Sequence, residues 1–148
     1  MSHQPPASVA EMEAFLDRVF PQIHAGGRFI SVERAGEGAC TLRHRIEDRH
    51  LQPGAVVSGP TMMMLADVAL YVALVGAIGP VTDAVTTNLS VNFLNRSGRQ
   101  DLIADCRYLR IGGRMATGEV TIAAAGSDAP VAHVTGTYVF SRGNQGKA

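Results

Sequence analysis

Two features of the segment between residues 58 and 67 could support chemistry on a carbonyl group. Ser58, Gly59 and Pro60 form a helix-start pattern, because serine caps a helix and a proline at its first position loses no needed hydrogen bond. The free N–H groups of such a helix start can polarise a carbonyl and stabilise the oxyanion that forms on attack. Asp67 follows Pro60 by seven residues, about two helical turns. We therefore expect the carboxylate and the electrophilic helix end to share one face.

Asp67 is the only charged residue between Thr61 and Ile78. A carboxylate in so apolar a segment is costly unless it is paired or hydrogen-bonded, and such a group is a candidate for function. The structural alternative is that Asp67 caps a neighbouring loop or pairs with an arginine. The residues of this segment alone leave both interpretations open.

The elements around this segment predict an α+β fold. Ser8 and Glu11 form a capping box, and apolar residues then recur at helical spacing until Pro21, which predicts an N-terminal helix. A polar loop at 48–58 precedes an apolar helix at 61–78. Strand-like runs punctuated by turn residues lie at 29–32, 40–43, 85–94, 102–110, 115–123 and 131–140. This order predicts one antiparallel sheet curved around the central apolar helix.

The composition argues against a nucleic-acid-binding protein. Of the 148 residues 18% are charged, and 13 basic side chains balance 13 acidic ones. Such a chain lacks the basic excess of a nucleic-acid-binding protein. Its length fits one soluble domain, which we expect at 9–141, with a disordered lead-in at 1–8 and a flexible tail at 142–148. No secretory leader is visible, so a cytoplasmic location is expected.

Membrane insertion and metal binding are both disfavoured. The 18 residues from Thr61 to Ile78 approach the length of a membrane span, but they contain Asp67 and no basic cluster flanks them. Cys40 and Cys106 lack the spacing of a metal or redox motif, and no histidine and acid pair has metal-ligand spacing. We predict no metal and no nucleotide cofactor.

The sequence of residues 54–67, GAVVSGPTMMMLAD, resembles the signature of PaaI-type hotdog-fold thioesterases. In that family a histidine-glycine-glycine turn opens the central helix and an acid follows. Ser58 stands at the histidine position, and Gly59 and Pro60 stand at the two glycines. Residues 85–94 likewise resemble the strand that follows the helix in that family. The resemblance covers about residues 28 to 140 and implies the hotdog fold.

The resemblance also implies catalytic roles. Asp67 corresponds to the acid that either activates water or attacks the thioester carbonyl directly, and the Gly59 N–H would polarise that carbonyl. Thr86 falls where the family often has a serine or threonine that reaches the site from a second subunit. Gln52 lies where many members carry an asparagine that orients the nucleophile. With Ser58 in place of histidine, polarisation of the carbonyl need not be lost, because the oxyanion donor in this scheme is the glycine N–H. The serine hydroxyl can still cap the helix.

Further residues are predicted to contact the substrate. Pro60 and Asn88 lie in the two matching segments, and Met63 belongs to a methionine run, 62–64, that is either an acyl tunnel or plain core. Arg110 and Arg114 flank a glycine turn that resembles a basic turn able to meet coenzyme A phosphates. Solvated arginines at strand ends would have the same pattern.

The sequence therefore predicts an acyl-CoA thioesterase that assembles as a homodimer or a dimer of dimers. A single sheet of this type leaves an edge strand for a second copy. The alternative is a non-catalytic protein of the same fold that binds acyl-CoA or another hydrophobic ligand, which Ser58 at the histidine position motivates. A hydratase of similar fold would need a catalytic histidine paired with an acid, and no spacing here supplies one.

Overall fold

The computed structural model describes residues 4–141. The predicted N-terminal helix is present as α1, Val9–Val19, and the Ser8 hydroxyl accepts a hydrogen bond from the backbone N–H of Glu11. Its apolar stripe buries Met12, Phe15 and Leu16 against the rest of the protein. A short 3₁₀ helix at Pro21–His24 follows, with its proline at the first turn.

Eight strands lie within the described residues, and six of them form one antiparallel sheet. The strands of this sheet are β1 (Ile30–Gly36), β2 (Ala39–His44), β5 (Val85–Phe93), β6 (Leu102–Ile111), β7 (Met115–Ala124) and β8 (Pro130–Val139). Their order is β1-β2-β6-β7-β8-β5, so β1 and β5 are the two edges. The other two strands, β3 (Leu51–Gln52) and β4 (Val56–Val57), form a small separate hairpin.

The central helix α2 spans Gly59–Ile78, with Ser58 as its N-cap. It is long and apolar enough to cross a bilayer, with a mean hydropathy of 2.0, but 67% of that apolar window is buried inside the protein. All six strands of the large sheet contact α2. The sheet thus covers the helix on most sides, which explains why α2 has no polar face.

Two glycines let α2 lie close to the middle of the sheet. Gly118 of β7 and Gly136 of β8 are direct partners across the strands, and both face the fully buried side chain of Leu70. A Cβ atom on Gly136 would lie 2.5 Å from Cδ1 of Leu70, closer than van der Waals contact allows. The absence of two side chains therefore creates the space that Leu70 fills.

The predicted α+β fold, with its curved antiparallel sheet, central helix and N-terminal helix, is confirmed. Two details differ. The central helix begins at Gly59, because Ser58 itself is the cap. The segment at 48–58 is not only a loop, since it contains a 3₁₀ turn at Asp48–His50 and the β3–β4 hairpin. The tail predicted at 142–148 lies outside the described residues.

Candidate active site

Asp67 lies half-buried in a cavity of about 290 Å³ between α1, α2 and the end of the sheet. The cavity is lined by Val19, Phe20, Asp67, Tyr71, Thr82, Ala84, Thr86 and Tyr138. Two aromatic rings form part of its wall. These are the rings of Phe20 and Tyr71, which meet edge to face with centroids 5.7 Å apart. The carboxylate is thus placed beside apolar rings and hydroxyl groups rather than beside an arginine.

Two hydroxyl groups hold the Asp67 carboxylate. The Thr86 hydroxyl donates to Oδ1 at 2.7 Å, and the Tyr138 hydroxyl donates to the same oxygen at 2.7 Å. Tyr138 also contacts the backbone carbonyl oxygen of Asp67 at 3.1 Å. Hydrogen bonds to an ionised carboxylate are stronger than those between neutral groups, so both donors fix the side chain.

A β-bulge in β5 aims Thr86 at the helix. Thr86 pairs with Tyr138, but after the bulge Asn88 pairs with Thr137 and Leu89 with Gly136, a shift of one residue. Without this shift, Thr86 and Leu89 would lie on opposite faces of the sheet, since side chains alternate along a strand. The extra residue therefore places Thr86 on the same face as Leu89 and Tyr138, next to Asp67.

Both tyrosines of this cavity keep their protons. Burial raises the pKa of Tyr71 to about 12, and its hydroxyl donates to the carbonyl oxygen of Val81 at 2.7 Å. Burial also raises the pKa of Tyr138 well above its ordinary value, and the negative charge of Asp67 raises it further. Tyr138 is therefore a hydrogen-bond donor to the carboxylate throughout the physiological pH range.

A second, larger cleft of about 610 Å³ lies at the start of α2. Gly59 and Pro60 line it together with Gln52 and other residues of the β3–β4 hairpin. The full lining is Gln52, Pro53, Gly54, Val56, Val57, Gly59, Pro60, Met62, Phe93, Asn95 and Arg96. The helix start thus faces an open space large enough for a small-molecule substrate.

The helix start is held in place by hydrogen bonds on both sides of Gly59. The Ser58 hydroxyl caps the helix by accepting from the Thr61 N–H, and it also bonds the Thr61 hydroxyl at 2.8 Å. The carbonyl oxygen of His50 accepts from the Ser58 N–H at 2.9 Å and from the Thr61 hydroxyl at 3.3 Å. These bonds fix the backbone that presents the Gly59 N–H.

Asp67 and Gly59 do not share a cavity within one chain. The seven-residue spacing between Pro60 and Asp67 aligns them around the helix axis, but Gly59 and Asp67 are eight residues apart, a rise of about 12 Å along that axis. A carboxylate and an oxyanion donor that act on one carbonyl must both reach it within about 3 Å. A shared side of α2 therefore does not place the two groups in one cavity within a single chain.

Residues 54–130, just over half of the chain, match the sequence profile of the Thioesterase superfamily. The chain belongs to this superfamily. A candidate thioesterase from Silicibacter sp. TM1040 is 35% identical over 93% of this chain and 94% of its own, with a TM-score of 0.81. A search of curated proteins gave no match.

Two further solved structures share the fold of this superfamily member. A variant of the phenylacetic acid degradation protein PaaI from Thermus thermophilus has a TM-score of 0.68 at 21% identity, covering 86% of this chain and 98% of its own. A hypothetical thioesterase from Streptococcus pneumoniae, solved with coenzyme A, has a TM-score of 0.71 at 15% identity, covering 90% and 97%. The predicted resemblance to hotdog-fold thioesterases is confirmed.

Five of the predicted site residues of this superfamily member line one or the other of the two cavities. Asp67 and Thr86 lie in one cavity, whereas Gln52, Gly59 and Pro60 lie in the other. Thr86 reaches Asp67 within its own chain, and its contribution to a site on a second subunit stays a prediction.

The remaining predicted substrate contacts line neither cavity. Met63 is 40% exposed, and the neighbouring Met62 lines the cleft instead. The Asn88 side chain lies on the face of the sheet opposite α2, because Asn88 pairs with Thr137. Arg110 is exposed at the end of β6, and Arg114 borders a separate surface depression beside Met115 and Phe140.

Sequence reasoning missed Tyr138, Phe93 and Arg96. Tyr138 is revealed only by the register between β5 and β8, because nothing in its local sequence relates it to Asp67. Phe93 packs against the helix start, since a Cβ atom on Gly59 would lie 3.3 Å from its ring. Arg96 supplies a positive charge at the cleft. Within residues 4–141, no three histidine, cysteine, aspartate or glutamate side chains are grouped so that they could hold a metal ion.

Proposed function

We propose that this protein is an acyl-CoA thioesterase in which Asp67 is the base or nucleophile and the Gly59 N–H is the oxyanion donor. The observation that carries the proposal is the hydrogen-bonded Asp67 carboxylate in a cavity beside α2, together with the start of the same helix in an open cleft. Membership of the superfamily supports hydrolysis of a thioester. The coenzyme A in the Streptococcus pneumoniae structure supports acyl-CoA as the substrate.

A second copy of the chain would bring together two half-sites, which are the Asp67 cavity and the cleft at Gly59. Thr86, near the start of β5, contacts Asp67, and Phe93, at the end of the same strand, packs on Gly59. If β5 pairs antiparallel with its symmetry mate across a two-fold axis, the start of one strand lies beside the end of the other. Asp67 of one chain then approaches Gly59 of its partner, which a single chain cannot achieve.

The surface around β5 supports such a pairing. In one chain β5 is an edge strand that offers unpaired backbone groups. Large apolar side chains are exposed on β5, just after it, and on the first turns of α2. These are Met63, Met64, Val85, Phe93 and Leu94, each between 40% and 55% exposed. Exposed apolar side chains beside an edge strand are typical of an interface.

The proposed reaction is hydrolysis of the C–S bond. In one route Asp67 removes a proton from water, and the water oxygen attacks the carbonyl carbon. The oxyanion that forms accepts a hydrogen bond from the Gly59 N–H. The intermediate collapses, the C–S bond breaks, and the departing thiolate takes up the proton. In the other route Asp67 attacks the carbonyl carbon directly, and the C–S bond breaks to release the thiolate. Water then hydrolyses the resulting mixed anhydride, which frees the Asp67 carboxylate and yields a proton that the thiolate takes up. Both routes give a carboxylic acid and coenzyme A.

A panel of acyl-CoA substrates tests the proposal. The purified protein is mixed with short, medium and aromatic acyl-CoA, and free coenzyme A thiol is measured with a chromogenic disulfide reagent. We expect hydrolysis of at least one substrate, and a loss of kcat of about a thousandfold or more in Asp67→Asn, because the amide neither accepts the proton nor attacks.

Asp105→Asn is the matched control. Asp105 also accepts a threonine hydroxyl, from Thr41 at 2.7 Å, but lies exposed away from both cavities, so its variant should keep full activity. No hydrolysis across the panel, or full activity in Asp67→Asn, would exclude the catalytic assignment. Tight acyl-CoA binding without turnover would instead favour the non-catalytic ligand-binding protein.

A further inference from the structure

We infer that Tyr138 is a positioning residue that holds Oδ1 of Asp67 and leaves Oδ2 as the reacting oxygen. The inference rests on the proposed function, because it gives the orientation of the same carboxylate. Among residues 4–141, both side-chain hydrogen bonds to the Asp67 carboxylate end on Oδ1, from Thr86 and from Tyr138. The two oxygens of one carboxylate are therefore in different environments.

Tyr138 restrains Asp67 more completely than Thr86 does. Its hydroxyl lies 2.7 Å from Oδ1 and 3.1 Å from the backbone carbonyl oxygen of the same residue. One hydroxyl thus links the side chain of Asp67 to its own backbone, which restricts the side-chain rotamer. Tyr138 is 5% exposed, whereas Thr86 is an exposed residue. Water therefore competes less with the Tyr138 hydrogen bond than with the Thr86 hydrogen bond.

The position of Tyr138 follows from the sheet. It lies directly opposite Thr86 in the β5–β8 pair and opposite Ala116 in the β7–β8 pair. Its ring is flanked by the Tyr71 ring, with centroids 6.4 Å apart. The ring is thus fixed by three strands and by α2, and an oriented donor of this kind requires no reorganisation during the reaction.

Tyr138→Phe tests the inference, with Tyr108→Phe as its matched control. Tyr108 is another tyrosine whose hydroxyl donates to α2, but its acceptor is the carbonyl oxygen of Leu70, at 2.8 Å. We expect kcat of Tyr138→Phe to fall about tenfold to a hundredfold with KM nearly unchanged, as for loss of one hydrogen bond to a charged group. Tyr108→Phe should change neither constant.

A measurement without substrate separates this inference from the proposed function. The ¹³C carboxyl signal of Asp67 is recorded by NMR at one pH in the wild-type protein and in both variants. Loss of the Tyr138 donor should shift that signal, because the hydrogen bond to Oδ1 is removed, whereas Tyr108→Phe should leave the signal at its wild-type position. An unchanged signal in Tyr138→Phe, or an equal shift in Tyr108→Phe, would overturn the inference.

The two proposals can fail independently. If the wild-type protein hydrolyses no acyl-CoA, the proposed function fails while the NMR comparison still tests the contact. If hydrolysis occurs and Tyr138→Phe keeps full kcat, the positioning role fails alone. Tyr138→Met, which fills the space with a flexible apolar side chain, replaces the phenylalanine variant if that protein does not fold.

Discussion

Gly59 serves the proposed site through its backbone N–H and through its lack of a side chain. Gly59→Pro removes the N–H at a position where proline is tolerated, because it is the first helical residue and Ser58 before it is extended at ψ 152°. We expect kcat to fall about a hundredfold to a thousandfold, as for loss of one oxyanion-hole donor. The measurement is steady-state hydrolysis of the best acyl-CoA.

Gly59→Ala is the control for this change. It keeps the N–H and adds the same Cβ atom, which would lie 3.3 Å from the Phe93 ring in either variant. We expect alanine to reduce kcat by less than about tenfold, since an approach of 3.3 Å requires only a small shift of the Phe93 ring. Equal losses in both variants would assign the effect to crowding and remove the oxyanion role of the N–H.

His44 makes the stability of the fold depend on pH. Burial lowers the pKa of His44 below its ordinary value of 6.5, an effect that outweighs the hydrogen bond from its Nδ1 to the Arg45 carbonyl. The His50 ring, 4.6 Å away between centroids, lowers the pKa further, while Asp101 raises it. Because the unfolded chain binds this proton more readily, the stabilisation is present above about pH 6.5 and is lost as the pH falls.

Chemical denaturation at several pH values tests this dependence. We expect the free energy of unfolding of the wild-type protein to fall between pH 7 and pH 5. In His44→Gln the slope should be shallower, by at most about 1.4 kcal/mol per pH unit, which is the contribution of one proton. A slope identical to that of the wild-type protein would show that His44 does not couple protonation to folding.

At the scale of elements, the contact between α2 and the sheet depends on the Gly118–Gly136 pair. A Cβ atom on Gly136 would lie 2.5 Å from Cδ1 of Leu70 and 3.0 Å from Cδ1 of Leu89. Gly136→Ala should therefore lower the free energy of unfolding by about 1 to 3 kcal/mol, as for overpacking of a dense core. Gly113→Ala is the control, because open space surrounds Gly113, and it should change stability little.

The elements themselves were predictable, because each has a strong local pattern. The Ser8 cap, the apolar run of α2 and the turn glycines between strands are visible in the sequence, and the helices and long strands follow from them. The β3–β4 hairpin was missed because strands of two residues are too short to show alternation. Its residues line the cleft, so part of the site was missing with it.

The candidate site was predictable only in part, because strand register leaves no trace in residue types. The partnership of Tyr138 with Asp67 depends on the bulge between Thr86 and Asn88, which reverses which side chains face the helix. The spacing of Pro60 and Asp67 gives the angle around α2 correctly, but the distance along α2 keeps the two half-sites apart. The residue types thus identified candidate groups such as Asp67, but the strand register and the helix length determine which groups contact each other.

At the scale of the whole molecule, the separation of the half-sites means that catalysis should require two chains. Asp67→Asn removes the acid of one half-site, and Gly59→Pro removes the oxyanion donor of the other. In a dimer that contains one chain of each kind, one composite site carries both defects and its symmetry mate carries neither. Mixing two inactive variants should therefore restore activity, which a site within one chain would not permit.

The mixing experiment has a quantitative expectation. Equal amounts of the two variants are unfolded together, refolded and assayed beside each variant refolded alone. Random pairing makes half of the dimers mixed, each with one intact site of two, so activity should return to about a quarter of the refolded wild-type value. Sedimentation should show dimers or larger assemblies in every sample. Dimers without restored activity would show that Asp67 and Gly59 of different chains do not act on the same carbonyl.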